Sequence, residues 1–198
     1  MDTMDDLKKE IELVIEKTFN ILRKGCSETR LVFPTYSNGI RRVCEQELRF
    51  VFVEQLKSIL EEYNYYYSVE TPTIDSYIFS ENRKYVKPQS GKGKSASFDL
   101  TIKDSNGNNV VIVEFKAKNA HPHEYAKDIC KLWNPKERAK FKYLINLFEK
   151  IEKGTQKSFE EKLCPNKNKW LPEKNSSEKI IVMAQSLEKN GYKIKEEI

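Results

Sequence analysis

Asp99, Glu114 and Lys116 stand in the spacing D-x14-E-x-K, inside two apolar runs, SFDLTI and VVIVEFKA, that flank the turn-forming segment KDSNGNN. Charged side chains are seldom buried in such runs unless something pairs them. Asn106-Gly107 is the strongest short hairpin signal in the chain. With these two residues at the centre of a two-residue turn, Asp104 faces Asn109, Ile102 faces Val111 and Leu100 faces Val113, which sets Asp99 across from Glu114 and Ser97 across from Lys116. Strand alternation then gives Phe98, Leu100, Ile102, Val111, Val113 and Phe115 to a core face. Ser97, Asp99, Thr101, Ile112, Glu114 and Lys116 fall on a shallow polar face. Directly opposed carboxylates have Cβ atoms roughly 4.5–5.5 Å apart and repel. A hard divalent cation such as Mg2+, with Mn2+ as a substitute, would relieve that repulsion through carboxylate oxygens. An ion pair to Lys116 alone is the simpler alternative.

A third acid follows from helical phase. With Leu48 at the centre of the apolar stripe of the second helix, Phe52 lies about 40° away, Glu45 about 60° and Leu56 about 80°. Glu45 is therefore expected within the buried stripe, facing the hairpin. Glu47, about 100° off on the other side, is expected at solvent or on a flank.

The elements that must position these groups are readable from periodicity. Leu7, Ile11, Val14, Thr18, Ile21 and Leu22 repeat at helical spacing behind Asp5 and Asp6, with Arg23, Lys24 and Gly25 closing the segment. A second helix is expected over 41–64, and the strand YYYSVETPT is expected to stop at Pro72. Residues 80–96 are polar and basic. Past the hairpin, HEYAKDICKL and SFEEKL predict helices, KIIVMAQSL predicts a strand, and FKYLINLF fits either. PNKNKWLPEKNSSEK is expected to be a loose surface loop.

These residues resemble the PD-(D/E)XK nuclease superfamily: an acid near the end of one strand (Asp99), an acid-x-lysine on the next (Glu114-Phe115-Lys116), and a glutamate on the preceding helix. In the archaeal Holliday-junction resolvase branch that helix carries a small residue followed by Glu-x-x-apolar, to which Cys44-Glu45-Gln46-Glu47-Leu48 is similar. The likeness covers roughly residues 40–150, and departs from the pattern in having Phe98 rather than proline before Asp99. It implies an α/β restriction-endonuclease-like core, a central mixed β-sheet flanked by helices, with an extra N-terminal helix. The chain 1–198 then reads as one nuclease-like domain: 1–40 N-terminal helix and connector, 41–150 catalytic core, 151–198 C-terminal helix, loop and strand. The resemblance further implies that Asp99, Glu114, the Phe115 carbonyl and Glu45 bind Mg2+. Lys116 would orient or help deprotonate the attacking water and stabilise the transition state. The implied activity is Mg-dependent hydrolysis of phosphodiester bonds, as a DNA endonuclease of restriction, repair or defence type, working as a homodimer if both strands are cut. A non-catalytic nucleic-acid-binding or interaction subunit on the same fold is the alternative.

Other features carry less. Lys87, Lys92 and Lys94 in KPQSGKGKSASF are placed beside the site, either gripping phosphates or in a solvated loop, and Lys118 extends the strand on the face of Lys116, within reach of a phosphate. The loop is no Walker A motif, because Pro88 stands where its first glycine belongs. His121-Pro122-His123 could serve a metal or a proton transfer but reads first as a helix entrance; Asp128 could support the site from the following helix but reads first as a solvent-facing helical acid; and most of Tyr63, Tyr65, Tyr66, Tyr67, Tyr77 and Tyr85 read as strand and core residues rather than base-stacking ones. Cys26, Cys44, Cys130 and Cys164 lack any C-x-x-C pair, which argues against a disulfide framework or structural zinc and for small buried hydrophobes. The charge of +5 permits contact with polyanions without requiring it. No apolar run is long enough for a membrane span and the acidic start is unlike a signal peptide, so the expected setting is the cytoplasm, off the membrane.

Overall fold

The computed structural model describes residues 4–24, 29–39, 42, 44–174, 177–188 and 193–198. Gly25, Cys26, Arg41 and Val43 lie outside the described residues. Among those described, four helices and seven strands run in the order α1 (Met4–Lys24), α2 (Glu45–Glu62), β1 (Tyr66–Glu81), β2 (Lys84–Ser90), β3 (Lys94–Lys103), β4 (Asn109–Ala117), α3 (Pro122–Leu132), β5 (Phe141–Phe148), α4 (Lys153–Leu163), β6 (Ile181–Ser186) and β7 (Lys193–Glu197). The strands form one mixed sheet, ordered β2-β1-β3-β4-β5-β6-β7. Strands β4, β5 and β6 are parallel, and every other pairing is antiparallel. This is an α/β architecture consistent with a restriction-endonuclease-like core carrying an N-terminal helix.

The parallel strands explain the continuous apolar runs. A strand covered on both faces must be hydrophobic at odd and even positions alike. Tyr143, Ile145 and Leu147 of β5 join α1, α2, Leu100, Ile102, Val111, Val113 and Phe115 in one core. Leu144 and Phe148 point the other way, into a second core with Phe98, Ile112, Tyr125, Ile129, Phe159 and Leu163 under α3 and α4. FKYLINLF is thus a strand. The helices α3 and α4 are the crossovers between parallel neighbours, and this is how α3 comes to lie over β4.

The β3–β4 register confirms Leu100 opposite Val113 and Ile102 opposite Val111, but Lys103, not Asp104, faces Asn109. The turn is longer by one residue: Gly107 N–H donates to the Asp104 carbonyl at 3.0 Å, Gly107 takes φ +81°, and the Asp104 carboxylate accepts the N–H groups of Asn106 and Asn108. The resulting bulge restores the expected register one step inward. The paired ladder ends at Leu100–Val113. Beyond it alternation breaks down, because β1 leaves extended geometry at Glu70 (φ +48°), the residue between the partners of Phe98 and Leu100. Phe98 consequently packs on the α3 side and not beside Leu100. The expected shallow polar face is also corrected: Ile112 and Glu114 are buried beneath α3.

Three further expectations change. Pro72 does not stop β1; it pairs with Ser97 where β2 has not yet begun on the other side, an edge position that needs no donor there. The basic segment 80–96 contains β2, reached through Asn82 and Arg83, both at positive φ as a twisted two-residue hairpin turn requires. The segment after α4 is anchored: Asn168, buried, donates its amide to the carbonyls of Lys162 and Pro122, and Leu171 is buried. The irregular middle of β1 is held by Glu137, whose buried carboxylate accepts the N–H groups of Ile74 (3.0 Å) and Asp75 (2.8 Å) and the Tyr77 hydroxyl (3.2 Å). No helix among the described residues is long and apolar enough to cross a membrane.

Candidate active site

Beyond the last β3–β4 pair, the Asp99 carboxylate takes over from the main chain and accepts the Phe115 N–H at 2.7 Å. The next strand residue on the α3 side is Glu114, and its buried carboxylate is in direct contact with the Lys131 ammonium. Lys131 projects inward from α3, one turn after Asp128, and its Nζ lies 2.8 Å from the Ser97 carbonyl and 3.3 Å from Asp128 Oδ1. Asp128 in turn holds Lys116, with Nζ 2.6 Å from Oδ2. Lys116 Nζ also donates to the Phe115 carbonyl at 3.2 Å and lies 3.8 Å from Glu45 Oε1. Glu45 opens α2 on the other side of the sheet. The order Glu114, Lys131, Asp128, Lys116, Glu45 is a chain of alternating charge around the C-terminal end of β4.

The electrostatics follow from burial and from these pairings. Burial lifts Glu114 well above the ordinary carboxylate value; Lys131 offsets part of this, and the charges of Asp128 and Asp99 add to it. Glu45 is raised by burial and by Asp99, against the pull of Lys116. Burial opposes the charge on Asp128, but Lys116 and Lys131 outweigh it and hold that carboxyl below its usual value. For Lys116, burial favours the neutral amine, and Asp128, Glu114 and Glu45 together keep it protonated beyond the usual lysine range. Lys116 is thus a fixed cation.

Asp99, Glu114, Lys116 and Glu45 are brought together, though not as helical phase had it. Glu45 is 48% exposed and Glu47 only 5%. Glu45 is the first residue of α2 and projects past the core. Glu47 folds back to accept the Cys44 N–H (2.8 Å) and to pair with Arg42 (2.8 Å), an N-terminal cap that buries it. Asp128 is not solvent-facing but 3% exposed. Lys118 does not extend the strand: β4 ends at Ala117, and Lys118, exposed, turns away at φ +65°. Lys92 lies in the β2–β3 turn and Lys94 is the first residue of β3; at about 3.3 Å per strand residue, Lys94 lies roughly 16 Å from Asp99. Gly93 there serves packing, since a Cβ would fall 2.2 Å from the Tyr77 carbonyl oxygen. Among the tyrosines Tyr77 is buried, whereas Tyr66, Tyr67 and Tyr85 are exposed. His123 stacks on Tyr85, ring centres 3.8 Å apart, and on His121. Of the described cysteines, Cys130 is buried and its thiol is pushed up to about 12 by burial, while Cys44 and Cys164 are partly exposed.

The donor chemistry around β4 fits a hard divalent ion: three carboxylates and the Phe115 carbonyl, with Asp99 raising both Glu45 and Glu114 by like charge. Their oxygens are nonetheless turned to internal partners. Among the described residues no three His, Cys, Asp or Glu side chains are gathered as a ligand set.

No protein-family model matches the chain. No curated protein matches it either. Among solved structures, that of Pyrococcus furiosus SfsA in complex with Ca2+ aligns with a TM-score of 0.32 at 16% identity, over 86% of this chain and 71% of that one.

Lys131 is the site residue that sequence reasoning misses, and Asp128 is the one it weighs as support for the site but places at solvent. A signal exists in the i, i+3 pairing of Asp128 with Lys131, but such a pair ordinarily marks a solvated helix face. Only the crossover geometry turns it inward.

Proposed function

We propose that this chain is a Mg-dependent nuclease of the PD-(D/E)XK kind that hydrolyses phosphodiester bonds in DNA, as a homodimer where both strands are cut. The observation that carries this reading is that Asp99, Glu114, Glu45 and Lys116 all lie about the C-terminal end of one parallel strand, though among the described residues the three carboxylates are not gathered into a ligand set. In open α/β sheets, the carboxyl ends of parallel strands are where ligands bind.

Asp99, Glu114, Glu45 and the Phe115 carbonyl would hold the ion. When bound, it would screen the anionic diester and lower the pKa of a coordinated water. Asp128 fixes the Lys116 ammonium at the strand end, 13% exposed. From there Lys116 donates to a phosphoryl oxygen and stabilises the charge that grows on it. A lysine so tightly paired acts as a cation and not as a general base. Lys118, exposed just past the strand, is a candidate contact to a neighbouring phosphate, and Lys92 and Lys94 would meet the nucleic acid farther away.

The second reading, a non-catalytic nucleic-acid-binding subunit, is favoured by one observation: Glu114, Lys131, Asp128 and Lys116 are already paired among themselves. One experiment separates the two. Linear, circular, single-stranded and branched DNA, and RNA, are incubated with and without Mg2+, comparing wild type with Lys116→Ala. Metal-dependent cleavage that falls on the order of 100- to 1000-fold in the variant supports the nuclease. Binding without cleavage supports the second reading, and equal cleavage by both proteins removes Lys116 from the chemistry.

A further inference from the structure

Lys131 is the feature that the proposed chemistry leaves unused. Its ammonium is 2% exposed, too buried to touch a substrate phosphate. Its Nζ is surrounded by three oxygens, from Glu114, the Ser97 carbonyl and Asp128, with the Phe98 ring 5.5 Å away closing the apolar side. The ammonium donates to Glu114 and to the Ser97 carbonyl, and the Asp128 carboxylate pairs with it at 3.3 Å. Carboxylate and carbonyl oxygens around a buried positive charge are also the surroundings that a hard metal ion selects.

We infer that Lys131 is a tethered counter-ion occupying the oxygen cradle of Glu114, Asp128 and Ser97, and that a divalent cation reaches Glu114 only in competition with it. The inference rests on the reading of Glu114 as a metal ligand. It adds that the metal-free protein is a folded state neutralised from within, and that affinity for the ion is set by how readily Lys131 gives up its contact. Without this ammonium, two buried carboxylates would share Lys116 as their remaining close cation. Removing one partner of a buried pair leaves an uncompensated charge, which is strongly destabilising.

The test is made on the full chain with Mn2+ and Mg2+ as probes, at ionic strength matched with NaCl, by thermal unfolding and titration calorimetry. In Lys131→Met, the metal-free protein is expected to melt about 10 °C lower. Mn2+ is expected to bind about tenfold tighter than to wild type and to restore much of the loss. If Lys131→Met is unfolded without metal, recovery of its circular dichroism on adding Mn2+ supports the inference, and failure to recover overturns it. Lys131→Arg, which keeps a cation, should behave as wild type. The double variant Glu114→Gln/Lys131→Met should regain stability without metal and lose the Mn2+ response. Equal Mn2+ affinity in wild type and Lys131→Met, or equal stabilisation by NaCl, overturns the inference. DNA cleavage by wild type is read separately: its absence removes the nuclease reading, while the metal titrations still decide the role of Lys131.

Discussion

Lys116 and Asp128 form the contact on which the proposed chemistry turns. Asp128→Asn keeps the shape and removes the charge that fixes Lys116 at 2.6 Å. The expected outcome is a fall in cleavage approaching that of Lys116→Ala, with DNA affinity retained in a binding assay. Unchanged turnover would make Asp128 a purely structural acid. Asp75 supplies a pH prediction away from the site. Its carboxyl is held below the usual aspartate value of 3.8, chiefly by the Asn134 amide, with help from the Ser76 N–H and Lys136. A depressed acid contributes stability that is present above its unfolded value and is lost as pH falls through the folded one. Denaturant midpoints for wild type should therefore drop below about pH 4, and Asp75→Asn should flatten that drop; parallel curves would contradict it. At this scale the acids and the lysine of the site are legible in the sequence, because charges inside strand-like runs stand out. Glu45 and Glu47 show the limit. Angular phase locates a residue around a helix, but at the first turn the cap decides which acid is buried, and Arg42 lies outside the periodic pattern.

Hairpins and crossovers carry the elements. The β3–β4 hairpin can be read from Asn106-Gly107, down to the partners of Leu100 and Ile102, because the bulge at Lys103 offsets the longer turn. Strands β2 and β7 cannot. KYVKPQS and KIKEE are edge strands whose charges and proline keep the sheet from pairing with another molecule, so they lack the apolar signature. Gly93 offers a direct check on the β2–β3 turn. Its φ of +90° and the Tyr77 carbonyl leave no room for a side chain. Gly93→Ala should destabilise by upwards of about 1 kcal/mol in urea unfolding; Gly91→Ala, at φ +82° but with open space around it, shares the backbone strain and lacks the clash, so it should cost less. Glu137 makes a similar case for β1. Glu137→Ala strands two backbone N–H groups and the Tyr77 hydroxyl, for an expected loss of about 1–3 kcal/mol.

Across the whole molecule, the sheet divides two cores and the site lies where they meet at the end of β4. The packing on the α3 side reaches the site through Tyr125, whose edge contacts Phe159 and whose hydroxyl donates to the buried Asn146 at 2.5 Å. Phe159→Ala should cost about 3–5 kcal/mol in calorimetry or denaturant melts, since its ring is fully buried against Tyr125 and Phe148. The second core is not legible: Ile112 and Glu114 read as a shallow polar face, because the helices that cover it are placed by crossover topology, which leaves no periodic trace. Strand β4 is fourth of seven, with three strands on either side. Amide protons in the interior of such a strand are released to solvent mainly when the entire chain opens. Deuterium uptake at Val111–Phe115 should therefore be the slowest in the protein, with or without added ions, and any loosening that lets a ligand in must be carried by α3 or by the start of α2, where uptake would change first.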